Sequence, residues 1–276
     1  MSLVVQGPGA APAHAAELAR LAGAREIEQV AGTAYRLRDA ADNAAVRERA
    51  RELRLDCAFV PDARRFADQK LLAMDMDSTL ITIECIDELG DLAGKRAEIS
   101  AVTARAMRGE IDFSESLRRR VGLLAGLGVD ALERVYRERL RLSPGAEALV
   151  AACRKHGVKL LLVSGGFAFF TDRLKARLGL DYTISNELGI ADAKLTGGIV
   201  GRVVDAEAKA ARFREVAHAL GASREQTVAI GDGANDLKML AEAGLSVAYR
   251  AKPVVKAKTD CALDFAGLDG VVNLFE

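Results

Sequence analysis

The segment Asp75-Met76-Asp77-Ser78-Thr79 sets two carboxylates two residues apart, directly after the apolar run Leu71-Leu72-Ala73-Met74. That run reads as a buried strand, so both acids are delivered to a crevice at its end. Gathering like charges in such a place is costly unless a cation or a chemical task accounts for them. A nucleophilic carboxylate beside a second one that shuttles protons, both near a hard metal ion, would account for them. The pair therefore points to phosphoryl transfer through an aspartyl-phosphate.

Two more polar motifs follow apolar strands. Lys159-Leu160-Leu161-Leu162-Val163 runs into Ser164-Gly165-Gly166, with a helix predicted from about Phe167 to Leu178. Thr227-Val228-Ala229-Ile230 runs into Gly231-Asp232-Gly233-Ala234-Asn235-Asp236, with a helix from Leu237, and Leu245 to Tyr249 forms a further strand. Apolar strands alternating with helices predict an α/β fold, a doubly wound, Rossmann-like parallel sheet covered on both faces. Such sheets bind ligands outside the carboxyl ends of their strands. Asp75, Ser164 and Asp232 each stand at such an end. A hydroxyl with backbone donors at a helix start suits an anion, and Gly-Asp-Gly brings a carboxylate and bare backbone close to a ligand. Asn235 and Asp236 complete the third motif, and either also has the form of a helix N-cap.

A long helical insert with charged faces, about 85–142, separates the first two motifs and includes Arg118-Arg119-Arg120. Its position predicts a cap over the site. From Asp181 to Val204 the pattern turns β-like, through Tyr182-Thr183-Ile184-Ser185-Asn186, with Gly197-Gly198 as the expected hairpin turn.

The first seventy residues read differently. Strands at Leu3–Val5, Glu26–Val30, Ala34–Leu37 and Cys57–Val60 alternate with helices at Ala13–Ala22 and Ala44–Leu53. The order βαββαβ is that of a small ferredoxin-like α+β module, expected over 1–68. It holds no cluster of catalytic side chains, so packing or dimerisation is the expected role. The same order also occurs in small amino-acid-sensing (ACT-like) domains, which opens feedback by an amino acid.

Composition narrows the partners. Lys+Arg and Asp+Glu both number 39 in 276 residues. Nothing here favours nucleic acid or an anionic membrane. No run approaches the roughly 20 apolar residues of a membrane span, and the start of the chain does not read as a signal peptide. Four separated cysteines and three histidines without a motif argue against a disulfide framework, a zinc site or an imidazole triad. Reduced thiols in a cytoplasmic protein are the expectation.

With these motifs in order, the chain from about Lys70 onward resembles the haloacid-dehalogenase (HAD) superfamily of aspartate-nucleophile phosphohydrolases. The resemblance rests on Asp75-Met76-Asp77-Ser78-Thr79, Glu84, Phe113 to Val121, Ser164-Gly165-Gly166-Phe167, Lys209 and Gly231 to Asp236. It implies a phosphatase domain over 69–276, with its core in 69–84 and 143–276 and a helical cap at about 85–142. It implies Asp75 as nucleophile, Asp77 as general acid and base, and Lys209 as the cation that neutralises the transferring phosphoryl group. Mg²⁺ would be held by Asp75, the carbonyl of Asp77, and Asp232, with Asp236 in support. Ser164, the Gly165 N–H and Asn235 would hold phosphate. Within the superfamily the pattern resembles the branch acting on O-phosphoserine in the last step of serine biosynthesis. There Glu84 would face the substrate ammonium, Arg120 would grip its carboxylate, and Met107 and Phe113 would cover it. Without the resemblance, nothing selects among the three arginines. The nearest alternative is a phosphatase or phosphotransferase for another small phosphomonoester; a non-catalytic binding protein is the remote one. A homodimer through the N-terminal module is a further expectation.

Overall fold

The computed structural model describes residues 1–276. Its strands are β1 (Ser2–Gln6), β2 (Glu26–Ala31), β3 (Ala34–Arg38), β4 (Asp56–Val60), β5 (Leu71–Asp75), β6 (Lys159–Phe167), β7 (Tyr182–Ala191), β8 (Lys194–Val200), β9 (Thr227–Gly231), β10 (Leu245–Tyr249) and β11 (Cys261–Leu263). They form a four-stranded sheet in the order β2-β3-β1-β4 and a seven-stranded sheet in the order β11-β10-β9-β5-β6-β7-β8.

The large sheet is parallel except for the β7–β8 hairpin. Alternate residues of its central strands enter opposite cores, as a period of two demands. Leu72, Met74, Leu160, Leu162, Val228 and Ile230 pack on one face with helices Ala146–His156 and Ala168–Leu178. Leu71, Ala73, Leu161, Val163 and Ala229 pack on the other with Phe213 and Val216 of helix Ala206–Ala219. Strand order reverses at β5: later strands build outward through β6 and β7 on one side and through β9 to β11 on the other. The crevice therefore opens at the end of β5, at the topological switch point.

The predicted hairpin turn at Gly197-Gly198 is corrected. The turn is Asp192-Ala193, both with positive φ, and Gly197 lies within β8 at φ 81°. A Cβ at Gly197 would sit 2.9 Å from Ala125 Cβ. That glycine lets the cap approach the hairpin closely rather than turning the chain.

The small antiparallel sheet buries Leu3, Val5, Tyr35 and Leu37 against helices Pro12–Ala22 and Ala44–Glu52. Asn43 caps the second helix, its Oδ1 accepting from Val46 N at 3.0 Å. The opposite face is not free, for Val4, Ala58 and Val60 join the main core. Asp56 accepts the N–H groups of Asp264 (2.7 Å) and Ala266 (2.8 Å). The buried Arg36 donates through Nη2 to the carbonyls of Phe275 (2.7 Å) and Asn273 (3.1 Å). These bonds satisfy buried polar groups on both sides of the junction. No helix is long and apolar enough to cross a membrane.

Candidate active site

Asp75 is the last residue of the central strand, and its Oδ1 accepts from the next backbone N–H, Met76, at 2.8 Å. The chain then makes one wide turn, closed by Ile81 N–H to Met76 O at 3.0 Å, with Ser78 at φ 56°. This turn brings Asp77 back over the strand end. Asp77 Oδ1 accepts from Cys85 N at 2.8 Å, at the start of the first insert helix, Cys85–Leu92. The chain entering the insert is clasped to the chain leaving it: Ile81 bridges Leu142, and Ser143 N donates to Leu80 O at 2.9 Å.

Lys209 enters from the first turn of helix Ala206–Ala219, capped by Asp205 Oδ1 accepting from Ala208 N at 2.9 Å. It is fully buried and donates at 2.8 Å to Asp75 Oδ1 and at 2.8 Å to Asp236 Oδ1. Asp236 Oδ2 accepts from Gly233 N at 3.0 Å. Asp75, Asp232 and Asp236 bring carboxylate oxygens within 4.8 Å of one another.

One lysine does not neutralise three such acids. Burial and then the Asp236 charge push Asp75 well up, against the pull of Lys209. Burial, Asp236 and Glu84 push Asp232 up to about 7. Burial works against the Lys209 ammonium, yet Asp236 and Asp75 outweigh it and hold its pKa above the ordinary value. An all-oxygen donor set with excess negative charge fits a hard divalent cation. Asp77 is pushed up to about 7, by burial first and then by Glu84. That upward shift favours the protonated form, the form a general acid needs.

Asp75, Asp77, Glu84 and Asp232 line one cavity of about 240 Å³, smaller than pockets for drug-sized ligands. Helix Phe113–Gly122 closes its far side. Phe113, Leu117 and Arg120 recur at the i, i+4, i+7 spacing of one helical face and all line the cavity. Of the three adjacent arginines, Arg119 pairs with Glu115 and Arg118 is exposed. Arg120 has a single hydrogen bond, Nε to Ser116 O at 3.4 Å, which leaves both terminal nitrogens free. Glu84 lines the same cavity, with Oε1 accepting from Ser78 Oγ at 2.6 Å. The insert touches the main sheet at the glycines: a Cβ on Gly165 would lie 2.8 Å from the Phe113 ring. A Cβ on Gly166 would lie 2.7 Å from Asp77 Oδ2.

Asp75, Asp77, Glu84, Phe113, Arg120, Gly165, Asp232 and Asn235 are thus brought to one cavity wall. Ser164, Lys209 and Asp236 are buried immediately behind it. Met107 is the exception and is corrected here: it is 67% exposed and lies off the cavity. It ends helix Arg96–Met107, and Thr103, one turn earlier on the same face, takes the lining position. A helical turn carries Met107 about 5–6 Å farther along the axis than Thr103. Sequence reasoning missed Asp87 and Lys252, which also line the cavity. Lys252 had a signal, since it follows β10 at the same sheet edge as the three motifs.

Comparison with known proteins places this geometry. The profile of the haloacid dehalogenase-like hydrolases matches residues 72–241. Residues 3–48 match a domain of unknown function, DUF4072. A phosphoserine phosphatase of Polaromonas sp. is 54% identical over 219 residues, covering 78% of this chain and 92% of that one. The unliganded crystal structure of a probable phosphoserine phosphatase from Vibrio cholerae superposes with a TM-score of 0.87 at 41% identity, covering 99% of this chain and 85% of that one. A substrate-bound phosphoserine phosphatase complex superposes with a TM-score of 0.71 at 38% identity, covering 75% of this chain and 99% of that one.

Proposed function

The chain belongs to the haloacid dehalogenase-like hydrolases, and from that premise we propose that it is a phosphoserine phosphatase, releasing serine and inorganic phosphate from O-phosphoserine. The observation that carries the substrate is the presence, in one small cavity, of the Arg120 guanidinium with both terminal nitrogens free and the Glu84 carboxylate, beside Asp75. An amino-acid phosphomonoester offers the matching carboxylate, ammonium and phosphate.

In the reaction proposed, an Asp75 carboxylate oxygen forms a bond to phosphorus as the phosphorus–oxygen bond to serine breaks. Oδ1 is occupied by Met76 N–H and Lys209, so Oδ2 is the oxygen without a protein partner. Asp77 gives its proton to the departing serine oxygen. It then takes a proton from the water that attacks the phospho-aspartate, so that Asp75 leaves as the carboxylate and phosphate is released. Lys209 holds Asp75 in place and sets positive charge beside the transferring group. Ser164, Gly165 and Asn235 receive the phosphate oxygens, and Phe113 over Gly165 keeps bulk water out.

Asp75, the carbonyl of Asp77, and Asp232 are the residues we assign to Mg²⁺, with Asp236 supporting them through Lys209. A bound Mg²⁺ supplies charge that lets a phosphate dianion approach these carboxylates. A chelator is expected to abolish phosphate release and added Mg²⁺ to restore it; full turnover in excess chelator would overturn the assignment.

Substrate choice is tested at the cap. Arg120→Ala is expected to lower kcat/KM for phosphoserine by about a hundredfold, the loss of one charge-assisted grip. Turnover of p-nitrophenyl phosphate, which has no carboxylate to hold, should change by less than about threefold on the same reasoning. Equal loss on both substrates would sink the carboxylate role and favour another small phosphomonoester.

A further inference from the structure

Asn186 lies on β7, is 1% exposed and lines no part of the cavity. Its side-chain amide nevertheless makes two specific bonds. Nδ2 donates to Gly165 O at 2.9 Å, and Oδ1 accepts from Val204 N at 2.8 Å. One partner is an acceptor and the other a donor, so the amide has a single orientation that satisfies both.

The strand register explains why this residue is needed. β6 and β7 pair at Val163↔Ile184 and next at Phe167↔Asn186, so four residues of β6 are spanned by two of β7. Ser164-Gly165-Gly166, the proposed phosphate cradle, thus lies opposite Ser185 alone and bulges out by two surplus residues. A bulge removes backbone groups from the ladder, and the Asn186 side chain supplies the partner that Gly165 O lacks there.

The peptide linking Gly165 to Gly166 thereby has both ends held. Its carbonyl points away from the cavity, to the buried Asn186, while its N–H donates to Ser164 Oγ at 2.8 Å. A trans peptide carries these two groups on opposite sides. Rotation of this unit would turn a carbonyl oxygen toward the anion, and two glycines offer little steric resistance to that rotation. The other end of Asn186 fixes Val204, which directly precedes Asp205, the cap of the helix that carries Lys209.

We infer that Asn186 is a positioning residue for phosphate: it holds the Gly165 carbonyl away from the anion, keeps the Gly166 N–H on the Ser164 hydroxyl, and ties that cradle to the start of the Lys209 helix. The inference rests on the phosphoserine phosphatase reading for the identity of the anion. It predicts a selective defect, because phosphate is held at the cradle whereas serine is held at Glu84 and Arg120.

The test measures inhibition by the two products, inorganic phosphate and L-serine, in wild type, Asn186→Asp and Asn186→Leu, together with thermal melting. Asn186→Asp is close in shape and keeps the acceptor for Val204 N–H, and it lacks a donor to Gly165 O only while ionised; Asn186→Leu removes both bonds at every pH. The expected result for both variants is a phosphate inhibition constant raised at least about tenfold, with that for serine within about twofold. An unchanged phosphate constant in a folded Asn186→Leu would overturn the inference, and so would an equal rise in both constants, which marks general loosening. Direct calorimetric titration of inorganic phosphate into the Mg²⁺-supplemented wild type and Asn186→Leu separates the two levels. Wild type that binds phosphate more tightly than the variant yet does not hydrolyse phosphoserine sinks the substrate reading alone. Equal phosphate binding by an active wild type and the variant sinks the Asn186 assignment alone.

Discussion

Asp75→Asn is expected to lower phosphoserine turnover by about four orders of magnitude or more, the scale seen when a nucleophile is removed from a residue set that acts as a unit. An amide keeps the shape of the side chain and still accepts from Met76 N–H and Lys209, so the defect is chemical. Stability should move the other way. Asp75 is pushed well up by burial and by Asp236, and the neutral amide removes that repulsion from the metal-free protein. The variant should therefore melt at or above the wild-type temperature in metal-free buffer at neutral pH while releasing almost no phosphate. Both quantities come from one preparation, by phosphate release and thermal denaturation. Turnover within tenfold of wild type would sink the nucleophile assignment.

Lys209→Met carries the second large effect, and it strikes fold and chemistry together. The lysine is fully buried between Asp75 and Asp236, at 2.8 Å from each. Removing the cation of a buried pair costs about 3–5 kcal/mol when the carboxylates left behind remain charged. Asp75, already pushed up by burial and by the Asp236 charge, would rise further in pKa. A carboxylate whose folded pKa lies above its unfolded value destabilises the fold once pH exceeds the unfolded value, near 4. The deficit of Lys209→Met should thus be small at acidic pH and grow toward neutrality. Added Mg²⁺ should recover part of it by supplying charge to the same acids. Turnover should fall by about a thousandfold even at saturating Mg²⁺, as for the loss of a preorganised charge at the transferring group. Chemical denaturation at two pH values, with and without Mg²⁺, checks the stability part. A deficit independent of both pH and metal would show that Lys209 acts by packing alone.

Several site residues were legible because they obey strong local rules. Asp75, Ser164 and Asp232 each follow an apolar strand, and the strand itself dictates which end of the sheet they reach. Gly197-Gly198 was misread because the same residue type serves turns and close approaches; only the position of Ala125 shows which use applies here. Met107 was misplaced because resemblance supplies a residue but not its height along a helix, and one turn separates the exposed Met107 from the lining Thr103. Asn186 has no local signal beyond its place in a β-like segment. Its bonds reach residues 21 and 18 positions away, beyond any local pattern.

What the sequence by itself determined is the chemistry on offer: acids and glycines at strand ends, a helical insert able to cover them, and hence phosphoryl transfer. Strand burial and helix periodicity are short-range properties, set within a few residues. What only the tertiary structure decided is which groups act on one another. It supplied, in helix face, the geometric reason for Arg120 over Arg118 and Arg119, shared Lys209 between Asp75 and Asp236, brought Glu84 to the same cavity, and joined Asn186 to Gly165. Those relations depend on distances across sheets and between the insert and the main sheet, fixed by packing of the whole chain rather than by neighbours in sequence.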